Sequence, residues 1–465
     1  MFTQKSFNFV KQTKIIMAEI TTCDSIFNGL EIKPTASQSK ALFEIEEFLE
    51  NAREQVFVLR GSAGTGKTTI TKAIVKYLEK MNTCVYLLAP TGKAASILKE
   101  KSEYEAQTIH QVIYIPHQLE DGSVYFEKRE NVSGIRTVYI VDEASMISAE
   151  RPTSGEYKSD NPLLDDLVNF VKQGHPDNQL IFLGDNYQLK PVNESESLAL
   201  SAEMLHKKYN LSTRQVTLRE VVRQTGGSPV LEIAMQIKES KDRSGSVYWI
   251  KPPSLPGSTE ALNYYLRYFN RKNTDEIILI SKTNDQVFYW NQKIREGLGF
   301  KPQTLGVGDV VMLRATWMNV GETVVNGEVG IIESLKGDIE EREGFRFQDV
   351  IIKFKAGSRE KQVSTKIILD SLENPTGQLD HESMKLLKHD RMKHNSAYRQ
   401  TQMAKDDSYM NAMRLSYAYA MTCHKAQGSE WRRVLYNAEK LRPSDHEWLY
   451  TAITRAKEEV KTWRF

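Results

Sequence analysis

Residues 59–75 read LRGSAGTGKTTITKAIV. QVFVLR ahead of the glycines reads as a short buried strand and TTITKAIVKYLEK after them as a helix, the context that G-x-x-x-x-G-K-T needs in order to cradle phosphate. Within Gly61–Thr68, the loop containing Ala63, Gly64 and Gly66 lets backbone N–H groups close on phosphate oxygens. Lys67 reaches the β and γ phosphates, the Thr68 hydroxyl is suited to hold magnesium, and Thr69 follows in the first helical turn. A unit of this kind demands a parallel sheet, because strand, crossover helix and next strand must run the same way.

The rest of the chain supplies one. CVYLLAP, TVYIVDEAS and QLIFLGD are near-continuous apolar runs ending in polar residues, separated by helical segments such as NPLLDDLVNFVKQ, which predicts an α/β sheet covered on both faces. DEIILISKT, RLSYAYAMT and VLYNAE repeat the style in the second half. Between them GDVVMLR, GEVGIIESL, DVIIKFK and KQVSTKI alternate in the manner of a small β-barrel. The expected division is an N-terminal tail, 1–28, and a first α/β domain, 29–225, carrying a hairpin at about 111–134. The second α/β domain is expected over 226–330 and 411–465, with the barrel inserted as 331–410.

Composition narrows the class but not the activity. With 40% hydrophobic and 26% charged residues and no apolar run of bilayer length, a membrane protein is excluded as an expectation. A net charge of +2 means that any polyanion must be met by a local basic surface. Cys23, Cys84 and Cys423 are too few and too dispersed for a disulfide framework or a zinc cage, which fits a reducing cytoplasm.

Asp142 and Glu143 stand where an apolar strand surfaces, so that one carboxylate can hold a metal and the next can polarise water. Together with the phosphate loop they specify a nucleoside triphosphate hydrolase. Gln38 offers a donor and an acceptor suited to an adenine edge. Gln188 follows a strand end carrying Asp185, and such ends face the ligand crevice of a parallel sheet. Arg223 and Arg455 are guanidinium groups of the type that stabilises a transferring phosphoryl group, although for either alone a surface ion pair is the competing reading.

Gln38, GSAGTGKT, APTGKAA, AQTIH, VDEAS, GDNYQLKPV, LREVVRQ, AMTCHKAQGSEW and LYTAITRAK stand in the order and approximate spacing of the motifs of superfamily 1 helicases. The wording of the later motifs resembles the 5′-to-3′ branch, superfamily 1B, which holds the RecD-type and Dda-like enzymes, and the length favours the Dda-like form. The resemblance implies two RecA-like domains, an SH3-like barrel and a hairpin pin that splits duplex DNA. It implies ATP and Mg2+ as cofactors. Lys67, Thr68, Asp142 and Glu143 would keep the roles above, Gln188 would sense the γ-phosphate, and Arg223 and Arg455 would be arginine fingers. Pro90, Thr91, Lys93, Thr108, His110, Asn284, Thr422, His424 and Lys425 would line a single-strand track, with Gly428 and Glu430 linking it to the nucleotide.

The track also reads from its residue types, since hydroxyls, a lysine and a histidine at strand ends bond phosphates without reading bases. Between AQTIH and VDEAS, YIPHQ and VYFEKRE flank a DG turn, a hairpin signal in which Tyr125 or Phe126 near the tip would stack on the junction base pair. The same segment also reads as an excursion that packs its aromatics on the domain body. Trp317 and Trp431 are read as buried, with a base-stacking platform as the competing reading, and His381, His389 and His394 as a solvated helix face. Expected partners are single-stranded DNA, forked or tailed duplex DNA, and single-strand-binding or replication proteins, met by a monomer in the cytoplasm of a bacterial or phage-infected cell. A protein-displacing translocase and an RNA-directed helicase remain open at this point, because backbone contacts do not report sugar type.

Overall fold

The computed structural model describes residues 25–30, 33–118, 124–151, 157–158, 160–222, 228–250, 252–319, 322–356, 359–377 and 379–463. The expected tail, 1–28, lies almost wholly outside them. Among the described residues no helix is long and apolar enough to cross a membrane.

The first half forms β1 (Val56–Gly61), β2 (Cys84–Ala89), β3 (Ala106–Thr108), β4 (Tyr114–Gln118), β5 (Val124–Lys128), β6 (Thr137–Val141), β7 (Tyr157–Lys158), β8 (Gln179–Gly184) and β9 (Thr213–Leu218). Six of these make a sheet in the order β3-β2-β6-β8-β1-β9, with every pairing parallel. Period-two alternation explains the apolar runs: Phe57 and Leu59 enter one core with helices Ala36–Glu50 and Lys67–Lys80, whereas Val56 and Val58 enter another against helix Leu163–Gly174. Since all six strands run the same way, the phosphate loop, Pro90, Asp142 and Asp185 emerge along one edge.

The chain then lays down β10 (Ser254–Leu255) and β11 (Ile277–Ser281) and enters a detour of β12 (Val310–Leu313), β13 (Trp317–Asn319), β14 (Glu322–Val324), β15 (Val329–Arg342), β16 (Phe345–Ala356), β17 (Arg359–Ile368) and β18 (Met413–Tyr417). It returns with β19 (Ala420–Thr422), β20 (Trp431–Asn437) and β21 (Ala456–Trp463). The second parallel sheet is ordered β10-β21-β20-β11-β19, and β12-β15-β16-β17-β18 close into a barrel. The barrel is therefore wider in sequence than 331–410, because β12 and β18 close it from residues expected in the second α/β domain. RLSYAYAMT is not one strand but two, serving different sheets. The Asn291 side-chain oxygen accepts from the Tyr419 and Ala420 N–H groups at 2.9 and 2.8 Å, satisfying the backbone where the chain changes sheet.

A buried ion pair ties barrel to sheet domain. Arg295, on helix Asn284–Gly297, donates to both Asp309 carboxylate oxygens at 2.8 and 2.9 Å, and the Tyr419 hydroxyl donates to the same carboxylate at 2.8 Å. Trp317 and Trp431 are buried as expected, the Trp317 indole N–H donating to the Asn411 carbonyl at 2.7 Å. His381, His389 and His394 are exposed.

Candidate nucleotide and nucleic-acid site

The two α/β domains face each other across a cavity of about 330 Å³, whose walls include Gln38, Ala63, Gly64, Gly66, Lys67, Thr68, Thr69, Asp142, Glu143 and Gln188 from the first domain. Gly428, Glu430 and Arg455 come from the second. The first domain presents the carboxyl ends of its strands, while these three residues lead into the amino ends of β20 and β21. Gly61 lies behind the loop, its carbonyl accepting from Lys67 Nζ at 2.6 Å. Arg223 lies outside the described residues.

Local chemistry shapes the loop. Gly66 has φ +83°, a left-handed conformation that favours glycine, and a Cβ there would collide with the Gln38 amide. Gln38 is buried and clamps two elements, its oxygen accepting from Thr35 N at 2.9 Å while its nitrogen donates to the Thr65 carbonyl at 2.9 Å. One proton and one lone pair of the amide remain for a base edge. Gly428, at φ +71°, would bring a Cβ within 2.8 Å of Ala94 Cβ, so glycine permits the close domain approach.

Glu143 is a non-glycine residue at φ +51°, held by its own N–H donating to Asp142 Oδ1 at 2.8 Å. Enclosure by the cavity pushes both carboxyls above their usual range, Asp142 adds to the push on Glu143, and Lys67 pulls both down. Glu143 Oε2 and Gln188 Oε1 are buried without a hydrogen-bond partner. Such orphans are costly in a folded core and common where a substrate completes the network. Arg455 is buried beside them, with Nε donating to the Thr451 carbonyl at 3.1 Å and Nη1 to the Ser429 carbonyl at 3.3 Å. Among the described residues no cluster of three or more His, Cys, Asp or Glu could hold a metal. The available donors, the Thr68 hydroxyl and the Asp142 carboxylate, are hard oxygen ligands that fit Mg2+ shared with phosphate and water.

A second groove connects the domains and the barrel. Gly92, Lys93, Asp275, Lys355, Trp431 and Lys425 line it, and Asn284, Thr422 and Arg314 continue it past Lys425. Lys93 pairs with Asp275 at 3.7 Å, and Lys355 of the barrel pairs with the same carboxylate at 3.1 Å. Lys425 is exposed as a residue, and partial desolvation of its amine by the groove walls, reinforced by the like charge of Arg314, pulls it down to about 8. His424 is exposed nearby. The Thr91 and Thr108 hydroxyls cap helices, accepting from Ala94 N at 3.2 Å and Gln111 N at 3.1 Å. The His110 ring packs on Tyr114 and Phe126, with centroids 5.5 and 5.1 Å away, and burial lowers its pKa to about 4.

The hairpin exists, β4 pairing antiparallel with β5, and its tip, 119–123, lies outside the described residues. Phe126 is not a tip residue. It pairs with Pro116 in mid-hairpin, is 9% exposed, and packs into the core with Tyr114 and Val124, so the stacking expectation is corrected for this residue. Tyr125 points to the other face, its hydroxyl donating to Asp160 at 3.2 Å.

Three groups at the domain boundary, of which Lys101 lines the cavity, escaped the sequence reading. Lys101 pairs with Glu430, Thr451 accepts from Leu189 N at 2.8 Å, and Tyr450 reaches the phosphate loop. The last two lie inside LYTAITRAK, which was read only for its arginine.

The AAA domain family matches residues 35–250, and the UvrD-like helicase C-terminal domain family matches residues 417–461. Over 291 residues the chain is 28% identical to the ATP-dependent DNA helicase dda of Enterobacteria phage T4, a match covering 60% of this chain and 61% of that protein. The chain thus resembles the superfamily 1B helicases in sequence. It is also 30% identical over 183 residues to the ATP-dependent RecD2 DNA helicase of Deinococcus radiodurans, covering 39% of this chain and 22% of that one. The chain thus spans about three fifths of the phage relative and less of RecD2. In fold it is similar to a chain from a structure of two coordinating Pif1 helicases at forked double-stranded DNA, with a TM-score of 0.50, 18% identity and 92% of each chain covered.

Proposed function

We propose that this protein is an ATP-dependent DNA helicase that travels 5′ to 3′ on single-stranded DNA and opens duplex DNA by closing and reopening two RecA-like domains. The observation that carries the reading is that Arg455 of one domain and the phosphate loop of the other line the same cavity as Asp142, Glu143 and Gln188. Lys67 and the loop amides bind the β and γ phosphates, and Gln38 takes the adenine edge with its remaining proton and lone pair. Glu143 withdraws a proton from the attacking water through its unpartnered Oε2, and Gln188 orients that water. Magnesium, held by Thr68 and Asp142, would neutralise charge on the phosphate oxygens when bound. Arg455 gains the γ-phosphate only in the closed state, so loss of that phosphate reopens the cleft. The role of Arg223 as a second finger rests on the superfamily resemblance alone, as does the direction of travel.

DNA phosphates would run along the groove past Lys93, Lys425, Thr422 and Asn284, where backbone contacts tolerate any sequence. The working form is proposed to be a cytoplasmic monomer acting on tailed or forked duplexes, with single-strand-binding or replication proteins as neighbours. A second reading, a translocase that strips proteins from single strands, is favoured by one observation: Phe126, the expected wedge, is buried. Strand displacement with ATP and Mg2+ on duplexes bearing a 5′ or a 3′ tail, with Glu143→Gln as the inactive control, tests both. Opening of only the 5′-tailed duplex supports the helicase. Failure of both duplexes to open, with DNA-stimulated hydrolysis intact, supports the translocase.

A further inference from the structure

The phosphate loop has a contact that its own chemistry does not require. The Ala63 N–H donates to the Tyr450 hydroxyl at 2.8 Å, and Tyr450 belongs to the other domain, on helix His446–Ile453. The same hydroxyl donates to Asp185 Oδ2 at 2.8 Å. Both side chains are buried, Tyr450 at 2% and Asp185 at 0% exposure. Burial and the adjacent Asp185 carboxylate hold the phenol well above its ordinary pKa, so it keeps the proton it donates.

Asp185 is the root of the loop that carries Gln188. Its Oδ1 accepts from Tyr187 N at 3.0 Å, and its carbonyl accepts from Gln188 N at 3.2 Å. One hydroxyl of the second domain therefore touches the phosphate loop on one side and the support of the Gln188 loop on the other. The connection is reinforced by the next residue, since Thr451 accepts from Leu189 N at 2.8 Å. Helix His446–Ile453 also leads into Arg455, so a movement of this helix carries the guanidinium and the hydroxyl together. Loop amides are the groups that bind phosphate, and a small misplacement of such groups lowers a phosphoryl-transfer rate strongly.

We propose that Tyr450 is a positioning residue, whose hydroxyl, held between the Ala63 amide and the Asp185 carboxylate, sets the phosphate loop and the Gln188 loop in register for hydrolysis only while the two domains are closed. This rests on the ATP-hydrolysing reading above. It adds a second device, besides Arg455, by which the partner domain governs chemistry.

The test compares Tyr450→Phe, Asp185→Asn and the double variant in full-length protein with single-stranded DNA, ATP and Mg2+. Tyr450→Phe keeps the ring and removes only the hydroxyl. Expected results are a kcat about 10- to 100-fold lower, a KM for ATP within about threefold of wild type, and a double variant no worse than Tyr450→Phe alone. Additive losses in the double variant, or a kcat within threefold of wild type, overturn the proposal. A loss that follows reduced thermal stability also overturns it. If the wild-type chain hydrolyses no ATP, the enzymatic reading falls separately, and amide exchange at Ala63 then decides the contact: faster exchange in Tyr450→Phe upholds the link between the domains, and unchanged exchange removes it.

Discussion

Lys101 of the first domain and Glu430 of the second form an ion pair of 3.0 Å across the wall of the nucleotide cavity. The pair links the two domains, and Lys457 stands 4.0 Å from the same carboxylate. It is partly open to solvent, so its worth is that of a surface pair, about 0.5–1 kcal/mol. Glu430→Gln is expected to raise the KM for ATP by about twofold to fivefold with little change in kcat, and the effect should shrink in high salt. Steady-state kinetics at two ionic strengths check this.

Glu143→Gln leaves the shape of the cavity nearly unchanged and removes the cavity carboxylate that carries an orphaned buried oxygen. Hydrolysis is expected to fall by at least about 100-fold while nucleotide affinity stays within a few-fold. Binding of a fluorescent ATP analogue beside a phosphate-release assay separates the two quantities. Loss of both together would mean that Glu143 holds the loop rather than the water.

Phe126 and Tyr125 offer a clean division between packing and contact with DNA. Phe126→Ala empties a place in the core shared with His110 and Tyr114, and is expected to cost about 3 kcal/mol of stability. Tyr125→Ala, on the opposite face, should leave the unfolding temperature nearly unchanged. If the hairpin splits duplexes, it is Tyr125→Ala that should slow unwinding while sparing DNA-stimulated hydrolysis. Thermal unfolding and strand displacement on both variants decide it.

These two residues also mark where the sequence stops being legible. Near-continuous apolar runs such as TVYIV can only be strands buried on both faces, so the sheet and the residues at its strand ends were readable. The β4–β5 hairpin was readable from its turn, but period two permits either face to be the buried one, and only the core beneath decides for Phe126. The boundary of the barrel was hidden for another reason. RLSYAYAMT is a single apolar run whose division between β18 and β19 depends on Asn291, more than a hundred residues earlier. Tyr450 was invisible as a functional residue because an apolar helix position explains it equally well until Ala63 and Asp185 are placed beside its hydroxyl.

The buried Arg295–Asp309 pair predicts a stability effect at the root of the barrel. Asp309→Asn leaves the guanidinium without its counter-charge at a site where the two side chains are 1% and 0% exposed, which is expected to cost about 3–5 kcal/mol. The cation stacks on the Tyr417 ring at 3.9 Å, so part of the loss should appear in the barrel strand β18. Chemical denaturation, with hydrogen exchange over 413–417, measures both.

Lys425 carries a prediction whose sign follows from its surroundings. Partial desolvation by the groove walls, with Arg314 as a like charge, holds the amine of this exposed residue at about 8, below its ordinary value, so the free protein loses this charge as pH rises through 8. A phosphate in the groove favours the protonated form, so DNA binding takes up a proton in that range. Affinity for single-stranded DNA is therefore expected to fall between pH 7 and 9 more steeply than screening alone explains. Lys425→Arg remains charged throughout and should flatten the profile, because a guanidinium does not titrate there. Fluorescence anisotropy with a short oligothymidylate at constant ionic strength measures both slopes. Parallel slopes for wild type and Lys425→Arg would remove this lysine from the phosphate path and leave Lys93 and Asn284 to define it.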